Sequence, residues 1–106
     1  MLPSKRRGTP TYDLQEVQRL VGQGELSRVI SNAAAEAADR LGFVRDDVVE
    51  AVLSLAPENF YKTMEASRFP GLWQDVYHLR FRGVRVYIKL QIDGLGRGVV
   101  IQFKRR

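Results

Sequence analysis

The segment VRVYIKLQID, residues 84–93, decides the fold class because its side chains alternate strictly between apolar and polar. Every second residue from Val84 to Ile92 is aliphatic, and the residues between and after them are Arg85, Tyr87, Lys89, Gln91 and Asp93. Such alternation predicts a β-strand with one buried and one exposed face. The exposed face would then hold a guanidinium, a phenol and an ammonium side by side.

Neighbouring segments extend this pattern into a sheet. WQDVYHLRF (73–81) sets Trp73, Asp75, Tyr77, Leu79 and Phe81 against Gln74, Val76, His78 and Arg80, with Arg82 following. GVVIQFKRR (98–106) sets Val99, Ile101 and Phe103 against Val100, Gln102 and Lys104, and FYKTMEA (60–66) is a weaker strand candidate. The short links predict antiparallel neighbours, because a parallel crossover needs about a dozen residues or more.

The first half of the chain has helical periodicity instead. Apolar residues recur at helical spacing over residues 11–21, 31–42 and 46–55, while ELSRVI (25–30) is expected to be a short extended piece. Ser31 is a candidate N-cap and Gly42 a candidate terminator. The predicted fold class is α+β, with N-terminal helices packed on a mainly antiparallel sheet of three or four strands. Residues 1–106 are expected to form one domain, with residues 1–10 as a flexible basic arm.

Composition narrows the function classes. The 106 residues include no cysteine, which excludes disulfides and cysteine-based zinc sites, and no apolar run approaches the roughly 20 residues of a membrane helix. MLPSKRRGTP has no apolar stretch typical of a signal peptide, so a cytoplasmic protein is expected. The net charge is +5, but residues 80–106 alone carry +7. This concentration predicts a polyanionic partner, with RNA, DNA and an acidic protein as candidates.

The polar faces of the predicted strands would combine into one cationic surface. Arg80, Arg82, Arg85 and Lys89 are candidate phosphate-binding residues on it. Such a surface could also cleave RNA, since the ribose 2′-OH can attack the adjacent phosphate once its proton is removed. A histidine pair is excluded because the chain has one histidine, His78. A tyrosine among cations, Tyr87, could replace it if positive charge lowered the pKa of the phenol.

Several motifs add a resemblance over nearly the whole chain. FYKTM (60–64), WQDVY (73–77), VYIK (86–89) and FKRR (103–106), with RRGTP and LQEVQRLVGQG near the start, resemble the MqsR family of toxins from bacterial toxin–antitoxin pairs. The resemblance implies a RelE-like fold and a ribosome-independent, metal-independent endoribonuclease that cleaves mRNA, with preference for a short GC-containing sequence. It also implies a cognate MqsA-like antitoxin as partner and no cofactor.

The family's proposed active-site residues correspond by motif to Lys62, Gln74, Tyr87 and Lys104. We hypothesise that Tyr87 handles the 2′-OH proton, with Lys62 as the rival, and that Lys62 and Lys104 offset charge on the scissile phosphate. Gln74 would hydrogen-bond a phosphate or a base edge. Lys62 poses a question of geometry, because alternation puts it on the same side as Phe60 and Met64, which would bury it.

Less specific interpretations apply to several residues. Trp73 and Tyr77 are expected in the core, His78 as a surface histidine, and Asp75 as a turn cap or a partner of an arginine. Two other functions remain open: a nucleic-acid-binding module without catalysis, and a basic interaction domain for an acidic protein. RNA cleavage that persists in EDTA would separate an endoribonuclease from both.

Overall fold

A computed structural model describes residues 6–106 of the protein, so residues 1–5 of the predicted arm lie outside the described residues. N-terminal helices precede an antiparallel sheet, which confirms the predicted α+β class. Between residues 6 and 106, no helix has the length and apolar character to cross a bilayer. The elements are β1 (Arg6–Arg7), α1 (Leu14–Gln23), α2 (Leu26–Val29), α3 (Asn32–Arg40), α4 (Arg45–Leu53), a 3₁₀ turn (Pro57–Asn59), β2 (Phe60–Glu65), β3 (Trp73–Phe81), β4 (Val84–Ile92) and β5 (Gly98–Arg105).

The sheet is a meander in which the spatial order of the strands, β1 to β5, is their order along the chain. All neighbours are antiparallel, as the short links predict. Two residues of the predicted arm, Arg6 and Arg7, pair with Met64 and Thr63 as a short edge strand. The link between β3 and β4 has positive φ at both Arg82 (50°) and Gly83 (82°), the backbone that a two-residue hairpin favours.

Local hydrogen bonds start the helices where the sequence predicts them. The Asp13 side chain accepts from the Glu16 backbone N–H at the start of α1, and Ser31 accepts from the Ala34 N–H at the start of α3. The extended piece predicted for residues 25–30 is wrong, because Leu26–Val29 form a helical turn closed by bonds to the Glu25 carbonyl. Glu25 and Ile30, which flank this turn, are extended, and Ile30 bridges to Val100 in parallel.

One face of the sheet carries the hydrophobic core, because α1 and α3 pack on β5 and α1 also reaches β4. We call this side the covered face. Val86, Ile88 and Leu90, alternate residues of β4, have no exposed surface. Tyr77 belongs to this core, as predicted, whereas Trp73 is only half-buried. Within residues 6–106, no helix packs on the opposite side of β2–β5, which we call the open face.

A β-bulge in β2 explains why Lys62 does not lie on the same side of the sheet as Phe60. Phe60 pairs with Tyr77 and Lys62 pairs with Val76, so the register shifts by one residue at Tyr61. Phe60 therefore lies on the covered face, with its ring 5.6 Å from that of Tyr77, while Lys62 lies on the open face. An extra residue in one strand reverses the alternation beyond it.

A second bulge, in β5, corrects the prediction for Val99 and Val100. Leu90 pairs with Val100 and Lys89 with Gln102, so Ile101 is the extra residue. Val100 is fully buried in the core, the reverse of the predicted assignment. The Ser31 backbone N–H donates to the Val100 carbonyl and its hydroxyl to the Ile101 carbonyl, which ties the start of α3 to the bulge.

Asp75 binds two backbone N–H groups, and among residues 8–106 no arginine pairs with it. It is 1% exposed on the covered face, and its two carboxylate oxygens accept from the backbone N–H groups of Thr11 (3.0 Å) and Tyr12 (2.9 Å). The Tyr12 hydroxyl donates to the Trp73 carbonyl. A polar clasp therefore fixes the segment before α1 to the sheet, and its buried charge is hydrogen-bonded.

Candidate active site on the open face

Hydrogen-bond register arranges the open face in rows that cross the strands. One row contains Lys62, Val76, Lys89 and Gln102, and the next contains His78, Tyr87 and Lys104. Arg80 pairs with Arg85 in the row beyond. Of the four residues that the resemblance implies as catalytic, Lys62, Tyr87 and Lys104 therefore lie in two adjacent rows.

Tyr87 is the centre of this arrangement. The ammonium nitrogen of Lys104 lies 4.9 Å from the centroid of the phenol ring and that of Lys89 lies 6.0 Å from it, both within cation–π range. Burial, and then the nearby Tyr61, raise the pKa of the Tyr87 phenol. The predicted lowering is wrong, because partial burial disfavours the phenolate more than the lysines stabilise it. Tyr87 is therefore a protonated phenol at neutral pH, suited to donate a proton.

Lys89 lies in the middle of the cationic group. Burial, followed by repulsion from Lys104 and Lys62, lowers the pKa of Lys89. Val76, its partner in the row, is fully buried although it lies on the open face, because lysine stems flank it on both sides. Mutual repulsion among the three ammonium groups favours an anion that relieves it, such as a phosphate.

Gln74 is on the same face but farther away. Its side-chain amide donates to the side-chain carbonyl oxygen of Gln91 at 3.0 Å, in the row on the other side of the lysine row from Tyr87. Gln74 and His78 are four positions apart along β3, which is about 13 Å in an extended strand. Gln74 is thus separated from Tyr87 by the lysine row.

The four predicted phosphate-binding residues divide into two groups. Arg80, Arg85 and Lys89 lie on the open face, and the Arg106 backbone N–H donates to the Arg85 carbonyl at the end of this surface. Arg82 does not join them. Its guanidinium forms ion pairs with Asp47 (2.7 Å) and Glu50 (3.0 Å) of α4, because the hairpin turn directs it toward the helices.

The sequence pattern did not predict that the rings of Tyr61 and His78 would be in contact on the open face. The two rings stack with centroids 4.2 Å apart at an interplanar angle of 21°, and the ammonium of Lys62 lies 5.5 Å from the Tyr61 ring. Tyr61 is the bulged residue of β2, so strict alternation could not place it beside His78. The sequence signal for this contact was that an aromatic residue, Tyr61, directly precedes Lys62.

The charge of the open face has one sign. The acidic residues of β2–β5 are Glu65 and Asp75; Asp75 faces the core, and Glu65, two residues beyond the buried Thr63, lies on the same side. Glu65 accepts a hydrogen bond from the Gly71 backbone N–H. Across the part of the chain that the structure describes, no group of three or more His, Asp or Glu side chains could hold a metal ion.

Fold and site together define a small α+β protein with helices on one side of its sheet and a cationic, tyrosine-centred surface on the other. The family described as "Motility quorum-sensing regulator, toxin of MqsA" matches residues 9–105. The "mRNA interferase toxin MqsR" of Escherichia coli (strain K12) is 30% identical over 98 residues, which is 92% of this chain and 96% of that protein. The chain therefore belongs to the MqsR toxin family, a family of endoribonucleases, as the motifs predict.

Proposed function

We propose that the protein is the toxin of a toxin–antitoxin pair and cleaves messenger RNA in the cytoplasm without the ribosome and without a metal ion. One observation carries the proposal: the ammonium groups of Lys89 and Lys104 both lie within 6.0 Å of the Tyr87 ring centroid, on a sheet face whose strands present no acidic side chain. Cations that surround a proton donor match the needs of phosphodiester transfer, in which charge grows on the phosphate. The name of the Escherichia coli relative supports the same substrate.

In this mechanism the RNA supplies its own nucleophile. The 2′-oxygen forms a bond to phosphorus, and the bond from phosphorus to the 5′-oxygen of the next nucleotide breaks. Lys62, Lys89 and Lys104 stabilise the charge of the crowded intermediate. Tyr87 donates its proton to the leaving 5′-oxygen, because the raised pKa of the phenol keeps it protonated. The products carry a 2′,3′-cyclic phosphate and a 5′-hydroxyl.

The outer residues would position the RNA strand. Arg80 and Arg85 extend the cationic surface one row beyond Tyr87, where they can bind a flanking phosphate. Gln74 lies on the other side, where its amide can read a base edge or a phosphate of a neighbouring nucleotide. Contacts to several successive nucleotides make the reaction sensitive to sequence and to salt.

Purified protein and an end-labelled RNA in excess EDTA test the proposal. We expect discrete cleavage that persists in EDTA and without ribosomes, with cut sites mapped from the 5′ label. Replacement of the single ribose at a mapped site by 2′-deoxyribose should abolish cleavage there and leave the other sites unchanged. Salt-sensitive RNA retention without cleavage would overturn the catalytic proposal and leave a binding module.

A cognate antitoxin is the proposed protein partner. The family description, which names a toxin of MqsA, supports this partner. Expression of the gene alone should arrest growth, whereas a Lys62→Ala version or co-expression of the antitoxin should allow it. Normal growth with soluble wild-type protein and no antitoxin would contradict a toxin.

A further inference from the structure

The mechanism needs a group that accepts the 2′-OH proton, and a protonated Tyr87 cannot be that group. We propose that His78 is a further catalytic residue, whose imidazole removes this proton. The proposal rests on the proposed endoribonuclease function and assigns the base within that site. The sequence predicted an ordinary surface histidine, so the support for a catalytic role of His78 is the position of its ring in the structure.

His78 belongs to the row that contains the proton donor. It pairs with Tyr87 in the register of β3 and β4, and Tyr87 pairs with Lys104. The centroids of the imidazole and phenol rings are 5.9 Å apart. Neighbouring strands are about 4.8 Å apart, so one phosphodiester linkage can lie against all three side chains. Base, acid and cation then flank the same phosphorus atom.

The surroundings of the ring favour proton transfer over base stacking. Tyr61 stacks on one side at 4.2 Å, and Tyr87 approaches from another at a tilt of 43°. A nucleobase has little room to stack on His78, whereas the outer side of Tyr61, which is 50% exposed, can receive one. Among residues 8–106, no hydrogen bond occupies either ring nitrogen of His78. The nitrogen-bearing edge is thus free to accept a proton.

Burial and nearby positive charge both favour the neutral form of the His78 imidazole. Burial, then the positive charges of Arg106 and Lys62, lower the pKa of His78 from its ordinary value of 6.5. A neutral imidazole is the form that can act as a base at neutral pH. Among residues 8–106, the titratable and charged groups that face or adjoin the ring are Tyr61 and Lys62 of β2, Arg80 of β3, Tyr87 of β4, Lys104 of β5 in the same row, and Arg106 after β5.

The proton balance closes without a co-reactant. The 2′-OH proton moves to a ring nitrogen of His78 as the bond from the 2′-oxygen to phosphorus forms. The bond from phosphorus to the 5′-oxygen breaks, and that oxygen takes the phenolic proton of Tyr87. Imidazolium and phenolate remain, and exchange with water returns both to their starting states before the next turnover.

The dependence of kcat/KM on pH tests this assignment, measured in EDTA with an RNA that the wild-type protein cleaves at a mapped site. For the wild type we expect kcat/KM to rise with pH through a pKa below 6.5 and then level off, because only neutral imidazole accepts a proton. His78→Gln should lose this rise and lower kcat by about 10²- to 10⁴-fold, the usual contribution of a general base. KM should change little, because the ring does not stack on a base.

Two further variants separate chemistry from structure. His78→Ala should regain activity when free imidazole is added, a result that a purely structural side chain would not give. Arg40→Gln removes an exposed charge on α3, far from the open face, and should retain the wild-type profile. Thermal melts should show that each variant is folded.

Three results would overturn the proposal. If His78→Gln keeps the acidic rise, or if both His78 variants change KM alone, the residue is not the base. If imidazole gives no rescue of a folded His78→Ala protein, the same conclusion holds. Failure of the proposed function is distinguishable, because the wild-type protein would then leave the RNA intact at every pH.

Discussion

The covered and open faces of the sheet are built from the same strands and serve different purposes. In β4, Val86, Ile88 and Leu90 have no exposed surface. The residues between them, the phenol Tyr87 and the cation Lys89, are half-buried. Stability and chemistry are therefore separated by one residue along the chain. The comparison teaches that a sheet covered on one side can carry a cationic surface on the other while its lysines and arginines stay out of the core.

The comparison of the two faces also explains why two arginines that are close in the sequence have different surroundings. Arg82 and Arg85 flank the same hairpin, yet Arg82 pairs with Asp47 and Glu50 whereas Arg85 lies on the open face. The first connects the hairpin to α4. The second adds positive charge next to Tyr87. Each of the following variants changes one face and should leave the other unaffected.

The largest expected effect is on the covered face. Phe103 is fully buried, and its ring meets that of Phe43 at 6.1 Å. Phe103→Ala should lower the free energy of unfolding by about 3–5 kcal/mol, because it leaves a cavity. Urea unfolding measures this as a lower midpoint at an unchanged m-value. Gln102→Ala, the adjacent residue on the open face, is the matched control and should change stability much less.

Tyr87→Phe should separate activity from stability most sharply. It removes only the hydroxyl and keeps the ring that Lys104 approaches at 4.9 Å. Loss of the proton donor should slow single-turnover cleavage by about 10²-fold or more, while the melting temperature stays near that of the wild type. A folded Tyr87→Phe protein that cleaves at the full rate would exclude the role of the phenol.

Asp75→Asn tests the polar clasp on the covered face. The carboxylate accepts two backbone N–H groups, and an amide can offer only one oxygen. We expect a loss of about 1–3 kcal/mol in the free energy of unfolding, because one buried donor is left unpaired. Asp39→Asn, an exposed residue of α3, is the control in the same unfolding assay. Equal stabilities of the two variants would contradict the clasp.

The smallest effects should distinguish the two arginines. Arg85→Gln should weaken RNA binding several-fold and reduce the slope of log K against log salt by about 1, because one phosphate contact is lost. Arg82→Gln should leave that slope unchanged and slightly lower the melting temperature, because it loses its pairs with α4. The reverse result would show that the open face is not where RNA binds.

Much of the fold was predictable from local pattern. The strand predicted for WQDVYHLRF matches Trp73–Phe81, and three helices were expected near α1, α3 and α4. The errors arise where distant parts of the chain meet. Residues 26–29 form a helical turn instead of the predicted extended piece. Val100 lies in the core because a bulge shifts the register of β5, and the hydroxyl and N–H of Ser31 bind the carbonyls at this bulge.

The types of residue in the candidate site were predictable from the sequence, but their arrangement was less so. Alternation placed Gln74, Tyr87 and Lys104 on one face, but it misplaced Lys62 and gave no reason for Tyr61 to meet His78. The direction of the pKa shift of Tyr87 was also wrong, because burial depends on neighbours that sequence spacing does not reveal.

The sequence by itself determined the α+β class, the cationic polar side of the strands and the family, because periodicity, charge and motif spacing are properties of neighbouring residues. Only the tertiary structure decided which side chains meet. Two bulges reversed the alternation in β2 and β5, a hairpin directed Arg82 toward α4, and packing kept Tyr87 protonated. These outcomes depend on hydrogen bonds and burial between residues far apart in the chain.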